Sequence, residues 1–279
     1  MTQPAADEPA VSGPGVAEPR ALFVPEGDAW LPTEYSVGPW SPDSLHGGPV
    51  AALVTRSLQQ VDAPIPCRLA RLTVELLRPV PLVPLRVTTE IVRPGAKVST
   101  VDARVERADD GQLVAIARAQ RIRTSEVEFG DGATDDVPEL PGEASDTSGW
   151  PGSSSIAFHS HATEHRFVRG RFGAVGPCFD WIRLRVPVVP GEEPTGWQRA
   201  AAFADFTNGI SAVVPFDGST VFINPDLTVH LFREPEGEWI GSDAVTRTSA
   251  TGIGTSETAL WDRRGRIGRG LQSLLLDRF

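Results

Sequence analysis

The chain has 279 residues, a formal net charge of −10, 40% hydrophobic and 22% charged residues, an ordinary globular composition long enough to bury a sizeable core. The acidic balance disfavours a general nucleic-acid binder, which needs a basic face to release counterions, and no apolar run approaches the ~20 residues of a membrane span. Two cysteines, Cys67 and Cys178, make neither a disulfide framework nor a Cys-rich metal site and read as free thiols of a reducing cytoplasm.

Residues 1–20 are rich in Pro, Gly, Ala and acids. Lacking a basic start and an apolar run, they are no signal peptide and read as a disordered tail. A first folded unit is expected over 21–123. Within it, His46-Gly47-Gly48 opens a small-residue apolar segment of helical length, Pro49–Val61. Paired glycines let a ligand approach the backbone, and a helix start offers free N–H groups to an oxygen or phosphate. His46, Gly47 and Gly48 are therefore candidate substrate-binding positions, with a tight turn entering the helix as the plainer account. Apolar and polar residues alternate over Arg86–Ile91 and Val98–Val105, predicting antiparallel strands with one packed face. Ala108–Gly111 is a turn leading into Gln112–Ile122. Residues 124–157 carry turn formers and acids with little periodicity and read as a linker or long surface excursion.

A second unit is expected over 158–279. Its first residues include His159, His161 and His165, spaced closely enough to suggest a metal. With no cysteine nearby and only Glu164 interleaved, they are read as solvated polarity at a strand start, and no metal is expected. Trp181–Val186 alternates like a strand. Ala200–Val214 is apolar nearly all the way round, the pattern of a helix buried on most sides. Gly209 inside it costs about 1 kcal/mol relative to Ala, which points to tight packing or an early helix end. Leu227–Arg233 then repeats Leu72–Arg78 with five of seven residues identical, 155 positions later. Both halves show the same order of helix, strand, strand, turn and strand. That order predicts a duplicated α+β unit, a helix wrapped by a long antiparallel sheet occurring twice, which is a double hotdog.

Familiar catalytic motifs are missing: no G-x-S-x-G elbow, no P-loop, no dinucleotide fingerprint and no H-E-x-x-H. Asp205 lies in the most apolar predicted helix, where a carboxylate deprived of water is a candidate general base; an outward-facing or capping carboxylate is the alternative. The corresponding place in the first helix, near Ala52-Leu53, has no acid, so one half would be active and the other supportive. Gln272 shares a strand face with Gly268, Gly270, Leu274 and Leu276, and needs a hydrogen-bond partner if buried. It can hold a water or a carbonyl. Asn224 precedes Pro225, whose missing N–H favours a strand start or bulge. Its nominal face, shared with Asp226, Thr228 and His230, is solvated unless a bulge inverts it.

The joint order of His46-Gly47-Gly48 plus helix, Arg71–Val74 through Arg78-Pro79, Ala204-Asp205-Phe206, Asp226–Thr228 through Arg233, and Gln272 resembles the acyl-CoA thioesterase II family. More narrowly it resembles bacterial thioesterase-like double-hotdog proteins, over roughly residues 36–124 and 158–279. The resemblance implies hydrolysis of acyl-CoA to free acid and CoA, a role in lipid metabolism in the cytoplasm, and no cofactor. It also implies a catalytic set of an Asp, a Ser or Thr, and a Gln ordering the attacking water. The Asp falls on Asp205 and the Gln on Gln272. The hydroxyl position is occupied by Asn224, a departure, and the Glu that often follows the Gln is Ser273, another. Arg68, Arg78, Arg183 and Arg185 are candidates for CoA phosphates, each also readable as a solvated strand residue. Two other readings stay open. One is a non-catalytic acyl-CoA or acyl-carrier binding protein, which Asn224 supports. The other is a hotdog dehydratase or hydratase using His46 or His230. Chain length, carrier and assembly into a homo-oligomer stay open too.

Overall fold

In β5 (Val98–Arg107) Val101, Ala103 and Val105 are buried while Asp102 and Arg104 face outward, the one-sided alternation expected of an antiparallel strand. The computed structural model describes residues 20–127, 136–147, 155–216 and 219–278. All but the last residue of the expected tail over 1–20, and parts of the 124–157 segment, lie outside the described residues. Around β5 the first half supplies β1 (Phe23–Glu26), β2 (Ala29–Pro32), β3 (Cys67–Leu76), β4 (Leu85–Arg93) and β6 (Leu113–Arg123). The second half supplies β7 (Thr163–Arg169), β8 (Cys178–Leu184), β9 (Thr220–Ile223), β10 (Asp226–Leu231), β11 (Ile240–Thr248), β12 (Ile253–Asp262) and β13 (Gly265–Arg278). Among the described residues all these strands join one antiparallel sheet, in the order β1-β2-β4-β5-β6-β3-β10-β13-β12-β11-β8-β7, with β9 on β13.

The two halves meet where the repeated heptapeptides pair with each other. Thr73 of β3 lies opposite Thr228 of β10, its own counterpart in the repeat, and Leu72 and Val74 lie opposite Val229 and Leu227. The two threonine hydroxyls are 3.1 Å apart. A local two-fold axis therefore passes through this pair. Outward from it the strands run β3, β6, β5, β4 on one side and β10, β13, β12, β11 on the other. The fold is a double hotdog.

Small residues let the two central helices touch. α1 (Gly47–Gln59) is capped by His46, and α2 (Gly196–Ala204) is capped by Thr195, whose hydroxyl accepts the Gln198 N–H at 3.2 Å. Ala51, Ala52, Ala200, Ala201, Ala202 and Ala204 are all buried. A Cβ on Gly48 would lie 2.4 Å from the Ala202 carbonyl oxygen, so the helices approach backbone to backbone and only glycine fits there.

The second predicted helix is corrected by the structure. It begins at Gly196, earlier than expected, because Thr195 is a good N-cap, and it stops at Ala204. Asp205 is its C-cap, and a short α3 (Thr207–Ile210) follows. The break is local chemistry: the Thr207 hydroxyl takes the Ala204 carbonyl at 2.6 Å, competing with the helical pattern. Residues 136–147 have no regular structure, yet Val137 and Leu140 pack on Phe179, Trp181 and Trp261. That part of the expected linker covers the sheet face opposite the main core. Cys67 and Cys178 are free thiols. Among the described residues no helix is long and apolar enough to cross a membrane.

Candidate active site

Asp205 leaves the end of α2 pointing at the start of α1. The fit depends on Gly47, since a Cβ there would lie 2.7 Å from Asp205 Oδ2 and 2.9 Å from Oδ1. Burial leaves Asp205 4% exposed, so each carboxylate oxygen needs a donor. Oδ1 accepts from Asn224 Nδ2 at 2.7 Å and from Gln272 Nε2 at 3.3 Å. Oδ2 lies 2.8 Å from His46 Nδ1. The positive end of the α1 dipole adds to this anion-favouring surround.

Each amide is oriented by what it meets. Gln272, buried on β13, donates from Nε2 to the Asp205 backbone carbonyl at 3.2 Å as well as to Oδ1, and its Oε1 accepts the Asn208 N–H at 3.2 Å. Asp205 offers only acceptors and the Asn208 N–H only a donor, which fixes the amide's direction. Asn224 sits between β9 and β10. Its turn is pinned by Pro225, whose carbonyl accepts the Leu76 N–H at 2.7 Å. The break at Pro225 carries Asn224 off the solvated face that simple alternation assigns to it and onto Asp205.

His46 is held more intimately than sequence reasoning foresaw. Its Nδ1 is 3.1 Å from the Gly48 N–H as well as 2.8 Å from Asp205. One nitrogen serves these neighbours in alternation: it accepts from Gly48 when the ring proton is on Nε2, and donates to Asp205 when the proton is on Nδ1. Phe158 and Phe206 stack on one another with centroids 5.2 Å apart, and both contact the His46 ring. The signal that could have found the dyad was the duplication. Helices related by a two-fold axis perpendicular to them run antiparallel, so the start of one meets the end of the other, as Gly48 meets Ala202 and Gln59 meets Thr195.

His46, Gly47, Asp205 and Asn224 line a cavity of about 340 Å³ whose other walls include Trp40, Val80, Phe206 and Phe222. Of the four arginines proposed for phosphate contacts, Arg78 lies at this cavity and is exposed. Arg183 and Arg185 instead gather on Glu164, and Arg68 lies near Glu234 at the other end of the helices. Glu164 is held below the ordinary carboxylate range by Arg183 and Arg166, which outweigh its burial.

The histidine cluster also departs from expectation. His161 is exposed, but His159 and His165 are buried, so the cluster is not solvated polarity. Among the described residues no group of three or more His, Cys, Asp or Glu is placed to hold a metal. His165 Nδ1 meets Asp180 Oδ2 at 2.5 Å, and its Nε2 lies 2.9 Å from the Thr163 hydroxyl. That hydroxyl donates to the Phe158 carbonyl, so it accepts from Nε2–H, and one further proton is shared with Asp180. Burial pushes the Asp180 carboxyl up, against the pull of His165. His159 is pushed down to about 3, chiefly by burial and then by the charges of His46 and His165.

A helix-enclosing antiparallel sheet, doubled about a two-fold seam, with a carboxylate and two amides meeting where the helices touch, defines a hotdog-fold protein. Solved structures agree on that fold. A hot dog fold protein from Alicyclobacillus acidocaldarius is 15% identical with a TM-score of 0.69, covering 92% of this chain and 96% of that one. A candidate thioesterase from Novosphingobium aromaticivorans is 20% identical with a TM-score of 0.69, covering 92% and 98%. An acyl-CoA thioesterase II from Mycobacterium marinum is 17% identical with a TM-score of 0.61, covering 85% and 90%. Among curated proteins no sequence matches. The model of the acyl-CoA thioesterase N-terminal domain matches residues 36–122, and that of the C-terminal domain matches residues 134–276. The chain belongs to the acyl-CoA thioesterase family.

Proposed function

We propose that the protein hydrolyses acyl-CoA thioesters with a water activated by Asp205. One observation carries the reading: Asp205, Asn224, Gln272 and His46, from four separate stretches of chain, converge within hydrogen-bonding distance beside an apolar cavity. Asp205 takes a proton from water as the water oxygen adds to the thioester carbon, a general-base contribution of about 10²- to 10⁴-fold. Gln272 and Asn224 hold the carboxylate in line, and Asn224, which lines the cavity, leaves its Oδ1 to orient the water, converting binding into orientation. When His46 donates from Nδ1 to Asp205, the Gly48 N–H is released toward the developing oxyanion at the start of α1. The carbon–sulfur bond then breaks, and the proton on Asp205 passes to the departing thiolate. Acid and CoA result. The exposed guanidinium of Arg78 meets a CoA phosphate at the cavity mouth.

The contact between His46 and Asp205 also favours a second reading, hydration or dehydration of an acyl-CoA by a His–Asp pair. Purified protein assayed on a panel of acyl-CoAs for thiol release, and on a 2-enoyl-CoA for hydration, separates them. Thiol release is expected, with Asp205→Asn slower by about 10²- to 10⁴-fold and unchanged in melting temperature. Equal turnover of the two proteins removes Asp205 as base. Hydration without thiol release establishes the second reading, and saturable binding without either reaction makes the protein an acyl-CoA binding module.

A further inference from the structure

Beyond the carboxylate the cavity is bounded by helix contacts on one side and by aromatic rings on the other. Inward, the route between the helices is shut. The α1–α2 contact leaves no room for a Cβ at Gly48, and the Phe158–Phe206 stack closes the space behind His46. Outward along the apolar wall, Phe222 meets Trp40 edge-on at 5.3 Å and Phe216 at 4.7 Å. Trp40 and Phe216 are themselves 6.3 Å apart. The three rings pack into one cluster, of which Trp40 and buried Phe222 face the cavity while Phe216 backs them. The space they leave, about 340 Å³, takes about eleven non-hydrogen atoms at the ~30 Å³ each that a small group fills in a liquid. The thioester carbonyl, the sulfur and the first carbons of the CoA arm occupy part of that volume.

We infer that the site selects short- to medium-chain acyl groups of about four to eight carbons, with Phe222 and Trp40 setting the upper limit. This rests on the thioesterase reading above, and deepens it by naming the acyl group. Each methylene that enters an apolar slot strengthens binding by roughly fourfold. A chain that meets the ring barrier leaves its tail in water or displaces packed side chains, and gains nothing further.

The test is kcat/KM for straight-chain acyl-CoAs from two to sixteen carbons, on the wild-type protein, Phe222→Ala and Trp40→Ala. Trp40 is 53% exposed, so its variant keeps the fold even if Phe222→Ala does not. The wild type is expected to rise roughly fourfold per added methylene to an optimum at or below about eight carbons and to fall at least tenfold by twelve. Either folded variant should move the optimum upward by two or more carbons. An optimum at fourteen carbons or beyond, or an optimum that neither folded variant moves, overturns the inference while leaving the hydrolase reading intact. No thiol release at any length overturns both.

Discussion

One added carbon at Gly47 and one at Gly48 meet different obstacles, and the difference separates chemistry from folding. At Gly47 the new Cβ meets the Asp205 carboxylate, a side-chain end that can swing aside. At Gly48 it meets the Ala202 carbonyl and the edge of Phe158, which are fixed by helix packing. If Asp205 is the base proposed above, Gly47→Ala should lower kcat tenfold or more, because a displacement of that size breaks alignment, with a smaller fall in the urea midpoint than Gly48→Ala. Gly48→Ala should cost about 1–3 kcal/mol of stability through overpacking. Denaturation curves and acyl-CoA turnover for both variants check the pair. Equal loss of stability in the two would show that Gly47 is a packing residue rather than a space kept for the carboxylate.

At the scale of the element, the turn that leads into the second half carries a cost that pH reveals. The short helical turn Phe158–Ala162 buries His159, whose imidazole is pushed down to about 3. The unfolded chain protonates this ring near 6.5, so below that pH the unfolded state binds a proton that the folded state refuses. Stability therefore falls as pH drops from 6.5 toward 3. At pH 5 this one group has removed about 2 kcal/mol. His159→Gln should lose less stability than the wild type between pH 7 and pH 5 by about that amount, read from urea midpoints at the two values. Identical losses would place His159 in contact with solvent. The sequence could not show this burial: three histidines in seven residues look the same whether hydrated or buried. The same limit applies to the second helix. Its apolar pattern runs on past Asp205, while the stop is set by one threonine hydroxyl and a cap that periodicity does not record.

For the whole molecule the duplication was legible and its geometric consequence was not. The repeat of Leu72–Arg78 at Leu227–Arg233 pointed to two α+β units. In the fold the copies pair with each other, Thr73 against Thr228, and the two central helices run antiparallel, which the repeat alone does not dictate. That arrangement brings the start of α1 to the end of α2, and makes His46 a partner of Asp205 rather than only a neighbour of two glycines. Asp205 and Gln272 stood out because a polar group amid apolar residues needs a partner. Asn224 stood out only by its place beside Pro225, whose effect on direction cannot be read from alternation. The most direct measurement of the central claim is a single turnover of acyl-CoA, with enzyme in excess, in ¹⁸O-labelled water. Attack by a water that Asp205 deprotonates places the label in the carboxylic acid released on that first turnover. Unlabelled acid with ¹⁸O found in the Asp205 side chain, or no acid at all, would contradict it.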